Sequence, residues 1–231
     1  IRDRIKTHKL NYGGIKMKLA VFDLDGTLID SLADIAEATN FAMRKLGFPE
    51  HPLNEFNYMV GDGVKILIER ALPDDRQELF EQAIKLYNDY YNENYTVKTY
   101  VYKGITETLK QLKAMGIKLA VASNKTHCFT EVIIKNYFGN DTFDAVYGKS
   151  DARPVKPDPA ILNAILSDMS IAPSEAIMIG DTSIDINTGK NAGVRSIGCL
   201  WGFRSMEELT SAGADFIAEK PEDIVKFIRE I

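Results

Sequence analysis

Lys18-Leu19-Ala20-Val21-Phe22-Asp23-Leu24-Asp25-Gly26-Thr27-Leu28 decides how the rest of this chain is read. The run from Lys18 to Phe22 is short and apolar without alternation, as suits a parallel strand buried on both faces. It stops on a polar turn. In open α/β sheets ligands bind beyond the carboxyl ends of the strands, so Asp23 and Asp25 stand where chemistry is expected. Two carboxylates two residues apart can divide their work, one holding a metal while the other faces a substrate. Gly26 lets backbone N–H groups come close to an anion. A helix-capping turn explains one aspartate but not two, and D-x-D-G-T arises by chance in about 2 of 1,000 chains of this length.

Working outward, Lys118–Ala122, Ala176–Ile179 and Arg195–Cys199 are apolar runs of the same kind. Helical patterns lie between them. Ile105–Met115 places Ile105, Leu109 and Leu112 on one face before Gly116 stops it. Thr126–Tyr137 and Pro159–Met169 read similarly, the second with proline in its first turn. Ser205-Met206-Glu207-Glu208 fits a capping box that opens a short helix. Strands alternating with such helices predict an α/β fold with a doubly wound parallel sheet.

One segment breaks the alternation. From Leu32 to Lys98 only helical patterns occur, over Leu32–Leu46, Val64–Ala71 and Asp75–Asn92, the last opened by the turn Pro73-Asp74-Asp75. The organisation expected is an α/β core from residues 17–30 and 99–231, with a small helical cap domain, residues 31–98, inserted after the first strand. Val97–Gly104 is its return linker. Tyr87, Tyr90, Tyr91 and Tyr95 recur at near-helical spacing. Internal packing explains them, with a substrate-stacking surface as the alternative. Residues 1–16 read as an upstream extension or cloning remnant, with Met17 as a candidate natural start.

The composition narrows the partners. With 28 basic and 33 acidic residues the formal charge is −5, which gives no footprint for a nucleic-acid backbone. An anionic substrate therefore needs a locally positive pocket, made by a metal, lysines or oriented N–H groups. Cys128 and Cys199 fit neither a disulfide framework nor a zinc spacing and read as reduced core thiols. No apolar stretch is long enough to span a bilayer. Ile1–Lys16 is basic but lacks the apolar core of a signal peptide. A cytoplasmic protein with no nucleic-acid or membrane partner is expected.

Further polar groups follow the other strands. Gly180-Asp181-Thr182-Ser183-Ile184-Asp185 puts one acid at a strand end and another at the start of a helix. Clustered with Asp23, these oxygens would suit magnesium; alone, the pattern also reads as a helix cap followed by a solvated acid. Ser123-Asn124-Lys125 offers a hydroxyl and N–H groups to a phosphate at a helix start, or is a plain loop. Lys156, in Val155-Lys156-Pro157-Asp158-Pro159, sits in a stiff loop from which it could neutralise a transferring phosphoryl group. Gly148-Lys149-Ser150 resembles the tail of a P-loop, but Phe143 stands where its first glycine belongs. No G-x-G-x-x-G follows a strand, and His8, His51 and His127 have no metal-type spacing.

Taken in order, Asp23/Asp25, Ser123, Lys156 and Asp181/Asp185 resemble the four motifs of the haloacid dehalogenase superfamily of phosphotransferases, over residues 18–231. Leu28-Ile29-Asp30-Ser31, the helical insert and Trp201-Gly202-Phe203-Arg204 are most similar to its phosphoglycolate phosphatase-like members. The dehalogenases carry a different residue in place of Asp25 and lack the metal. β-Phosphoglucomutase-like relatives usually have valine where Thr27 stands. The resemblance implies a Mg²⁺-dependent phosphatase acting on a small phosphorylated metabolite, with phosphoglycolate as the first expectation. By that resemblance Asp23 is the nucleophile and Asp25 the acid and base. Mg²⁺ is held by Asp23, Asp181 and the backbone carbonyl of Asp25. Ser123, Lys156 and the N–H groups around Leu24 and Asn124 bind the phosphoryl oxygens. Asp185 stands behind them, orienting Lys156 or a metal-bound water. The cap would exclude water and recognise the leaving group, through Gly61-Asp62-Gly63 and Lys65 unless that stretch is a plain interhelical turn. A phosphosugar mutase and a catalytically idle binding protein are the alternatives.

Overall fold

The computed structural model describes residues 16–230. Residues 1–16, read as an extension, fall outside that range but for the exposed Lys16. β1 (Leu19–Phe22) is followed by the acidic turn and by a two-residue strand, β2 (Ile29–Asp30). Then come α1 (Leu32–Leu46), α2 (Phe56–Met59), α3 (Val64–Ala71) and α4 (Phe80–Asn94). The chain returns through β3 (Tyr100–Val101) and α5 (Ile105–Ala114). It continues as β4 (Lys118–Thr126), α6 (His127–Phe138), β5 (Ala145–Lys149) and α7 (Ala160–Met169). The remaining elements are β6 (Ala176–Gly180), α8 (Ser183–Asn191), β7 (Arg195–Cys199), α9 (Met206–Ala212), β8 (Phe216–Ala218) and α10 (Glu222–Glu230).

Every residue of β1 is buried because its alternate side chains serve two cores. Ala20 and Phe22 pack with Ile105, Leu109 and Ile224 on one face; Leu19 and Val21 pack with Leu162, Ile165 and Leu166 on the other. Six strands pair in parallel in the order β5-β4-β1-β6-β7-β8. The doubly wound sheet expected from the sequence is therefore present. Since β1 has β4 on one side and β6 on the other, the chain winds away from it in both directions. The carboxyl ends of these three strands meet at that switch point.

Within this sheet, the two strands without a sequence signal, β5 and β8, are its edges. Their residues are mostly half-exposed, so neither forms a continuous apolar run. Two expectations are corrected. β4 continues to Thr126 with an irregular register after Ala122, so Ser123-Asn124-Lys125 lies on a strand extension and not at a helix start; α6 opens only at His127. The helix expected from Asp75 begins at Phe80, and Asp74–Leu79 is a 3₁₀ segment broken at Arg76. There the Gln77 amide donates to Glu69 O (3.2 Å) and Leu72 O (3.4 Å), fastening that segment to the end of α3 instead of extending α4.

Helices α1 to α4 enclose a hydrophobic cluster of their own, built on Ile35, Met43, Phe56, Ile68, Tyr87 and Tyr91. Tyr87 stacks on Tyr91 and Tyr90 on Phe41. The two crossings between this unit and the sheet are joined. β2 and β3 pair antiparallel, and Tyr100 Oη donates to Asp30 Oδ2 at 2.8 Å. Beside them the buried Asp34 carboxylate accepts the N–H groups of Lys98 (2.9 Å) and Thr99 (2.8 Å) and the Thr99 hydroxyl (2.7 Å). Tyr137 Oη, on α6, donates to Thr99 O at 2.9 Å. Among the described residues no helix is long and apolar enough to cross a membrane.

Replacing Asp34 strands the Lys98 and Thr99 N–H groups and leaves the Thr99 hydroxyl only Tyr95 O, at 3.1 Å. Asp34→Ala should lower stability by about 2–4 kcal/mol in urea unfolding, and Asp34→Asn by less, since it keeps one acceptor. A loss under about 0.5 kcal/mol for the alanine variant would show that the clasp is not structural.

Candidate active site

Asp23 extends β1 by one rung, donating its N–H to Ile179 O at 2.8 Å. The chain then folds back sharply, as Leu24 O accepts the N–H groups of Thr27, Leu28 and Ile29. The Leu24 side chain is buried in the core, so only its backbone stands at the site. Gly26 adopts φ +88°, and a Cβ there would lie 2.3 Å from Asp181 Oδ2. A side chain is excluded on both counts.

Asp181 directly follows β6, and both its oxygens are held. Thr27 Oγ1 donates to Oδ1 at 2.9 Å and Phe203 N to Oδ2 at 2.8 Å. The Phe203 ring packs into the cluster of α1 to α4, and Trp201 Nε1 donates to Thr27 O at 3.0 Å. Asp185, in the first turn of α8, accepts the N–H and hydroxyl of Thr182 on Oδ2. That leaves Oδ1 for Lys156 Nζ, 2.6 Å away. The same ammonium lies 2.8 Å from Asp23 Oδ1. Lys156 is fully enclosed, and Asn124 clamps its backbone: Oδ1 accepts Lys156 N at 2.8 Å and Nδ2 donates to Lys156 O at 3.1 Å.

Asp23, Asp181 and Asp185 are all buried and offer carboxylate oxygens within 4.8 Å of one another. Among the described residues, Lys156 is the cation paired with this group. Burial, and next the charge of Asp185, raises the Asp23 carboxyl to about 7 despite Lys156. Burial, then Asp185 and Asp23, holds Asp181 well above the usual carboxylate range. Burial opposes the charge on Lys156, but Asp185 and Asp23 outweigh it and raise its pKa. Hard oxygen donors with surplus negative charge fit a divalent cation of the magnesium type.

Asp25 stands outside this group. Its Oδ1 accepts the Ser31 hydroxyl at 2.5 Å, and both oxygens accept Lys125 Nζ at 3.0 and 2.9 Å. Ser123, also buried, accepts Lys125 N on its Oγ at 3.1 Å, which leaves its hydroxyl hydrogen to donate elsewhere. These groups open on a cavity of about 60 Å³, floored by Asp23, Asp25, Ser123 and Lys125 and roofed by Val60, Gly61, Leu67, Tyr87 and Tyr91. Asn124 Nδ2 donates to Gly61 O (3.0 Å) and Arg204 Nη2 to Val60 O (2.9 Å), so the Gly61–Gly63 turn faces the site. Asp62 pairs with Arg70 at 2.7 Å, and Lys65 is exposed and does not line the cavity. Of the four tyrosines, Tyr87 and Tyr91 line the cavity while Tyr90 and Tyr95 do not.

Sequence reasoning missed Lys125, Ser31 and Phe203. Lys125 adjoins a motif whose first two residues were assigned roles. Ser31 closes the Leu28–Ser31 stretch, and Phe203 lies within the Trp201–Arg204 stretch; both were read only as marks of resemblance.

A family model described as haloacid dehalogenase-like hydrolase matches residues 20–199. A phosphoglycolate phosphatase of Vibrio vulnificus is 36% identical over 211 residues, covering 88% of this chain and 92% of its own. One from Aquifex aeolicus is 35% identical over 212 residues, covering 92% and 97%. Among solved structures, a haloacid dehalogenase-like hydrolase of Streptococcus pneumoniae superposes with a TM-score of 0.84 at 26% identity, covering 91% of this chain and 98% of that one.

The raised Asp23 pKa has a consequence for the metal-free protein. Folded Asp23 keeps its proton to about pH 7, against 3.8 for an ordinary aspartate. The stabilising contribution is therefore complete below about pH 4 and is lost as pH rises through about 7. In chelator, the unfolding midpoint should fall across that window, and Asp23→Asn should flatten the slope. An equal slope in the variant would place the titration elsewhere.

Proposed function

This chain belongs to the haloacid dehalogenase-like hydrolases, and we propose that it is a magnesium-dependent phosphatase of small phosphate monoesters, phosphoglycolate first among them. One observation carries the reading. The two carboxylates of a single turn occupy opposite environments, Asp23 among buried acids and Lys156, Asp25 against Ser31 and Lys125. Paired carboxylates in unlike surroundings take unlike roles.

Asp23 attacks phosphorus and forms an aspartyl-phosphate as the bond to the leaving alcohol breaks. Asp25 gives that oxygen a proton, then takes one from the water that attacks the intermediate and releases inorganic phosphate. Ser31 and Lys125 fix the orientation of the Asp25 carboxyl for both transfers. Such acid–base help is worth about 10²–10⁴ in rate, so holding and neutralising the phosphoryl oxygens must supply most of the rest. Lys156, Ser123 and the N–H groups of Leu24 and Asn124 take those oxygens, with Asp185 fixing the lysine. Asp23, Asp181 and the backbone carbonyl of Asp25 would hold Mg²⁺, which when bound supplies positive charge to the same oxygens. The helical unit over residues 31–98 acts as a cap. Its roof over a cavity of about 60 Å³ favours metabolites over phosphoproteins or polynucleotides. The names of the relatives from Vibrio vulnificus and Aquifex aeolicus support phosphoglycolate as the substrate.

Asp23→Asn should lower kcat on phosphoglycolate by about 10⁴-fold or more in a phosphate-release assay. Retention of most of the activity would reject the nucleophile. Chelation should abolish turnover and Mg²⁺ restore it; indifference to both would reject the metal.

A further inference from the structure

Lys156 is engaged at the phosphate end by Asp23 and Asp185. At the other end, Lys125 is the one cationic side chain that lines the cavity among the described residues. It is nearly buried, with 8% of its side chain exposed, and its Nζ lies 5.1 Å from the centre of the Tyr91 ring. Ile35, Val64, Leu67 and Phe129 make much of the surrounding wall apolar. Asn88, Thr126, Tyr87 and Tyr91 are the residues with polar groups that interrupt it. The Tyr91 hydroxyl is buried without a hydrogen-bond partner.

A substrate with its phosphorus at Asp23 and its ester oxygen at Asp25 must run its leaving group past Lys125 into this wall. A carboxylate there, beside Asp25 and apolar side chains, is costly unless a cation lies between the two anions. Lys125 occupies that position, and an ammonium has three donors, of which Asp25 takes two. A leaving group that ends in a methyl or hydroxyl gains nothing from the charge.

We propose that Lys125 is a specificity-determining residue that selects phosphate monoesters whose leaving alcohol carries a carboxylate. The inference rests on the phosphatase reading and assigns its substrate class to one side chain. The test compares kcat/KM for phosphoglycolate and for ethyl phosphate, with Mg²⁺, in the natural protein, Lys125→Met, Lys125→Gln and Lys125→Arg. The natural protein should prefer phosphoglycolate by roughly 100-fold or more, from the usual cost of unpairing a buried charge. Methionine or glutamine should reduce that preference to under about 10-fold, while arginine retains part of it. Loss of Asp25's partner alone would slow both esters by one factor and leave the ratio unchanged; that result, or no preference in the natural protein, overturns the proposal. Calorimetry with 3-phosphonopropionate and propylphosphonate reads the same discrimination without turnover. If the natural protein cleaves neither ester, the phosphatase reading fails, and the difference in affinity between the two phosphonates still decides the role of Lys125.

Discussion

Three buried carboxylates crowded against one ammonium at the ends of two neighbouring strands set the terms for the rest of this molecule. Like charges held that closely in a medium of low polarity are costly, and the cost is met locally by fixed donors. Thr27 and Phe203 serve Asp181, Thr182 serves Asp185, and Lys156 is shared between Asp185 and Asp23. The backbone makes room for the arrangement. Where Asp181 meets the acidic turn the chain has Gly26 and Gly202, and a Cβ at either would lie 2.3 Å from an atom of Asp181.

The parallel sheet is what lets such distant segments share a few ångströms. β1, β4 and β6 are neighbours, so residues 23, 123 and 181 emerge side by side although the chain between them winds over both faces. Asn124 then links the two halves of the site. One amide holds the loop that carries Lys156 and reaches the Gly61 carbonyl of the helical unit above. The position of Lys156 and that of the roof are thus referred to the same side chain.

How much of this could be read in advance depended on how local each signal was. β1, β4, β6 and β7 announced themselves because a strand covered on both faces is predominantly apolar. β5 and β8 did not, because edge strands are half-exposed and their pattern is diluted. The acids were legible for a similar reason: Asp23 and Asp25, and Asp181 and Asp185, each sit within a few residues of a strand end. Lys125 was not legible as a partner of Asp25, since the contact closes across 100 residues and depends on an irregular extension of β4 that no composition signal marks. The tyrosines show the limit of periodicity. Their spacing gave the helix and its packing face, but only the fold distinguishes Tyr87 and Tyr91, on the cavity wall, from Tyr90 and Tyr95.

Phe203 belongs to two structures at once. Its amide is fixed to Asp181 on the sheet side, while its ring, 9% exposed, lies in the apolar cluster of the helices opposite. Any motion that lifts those helices must pull them off this ring and wet it, at a cost on the order of 2 kcal/mol. The enclosure therefore leans toward shut before any guest arrives, and the spring that biases it is anchored on the acid that would share in holding the cation.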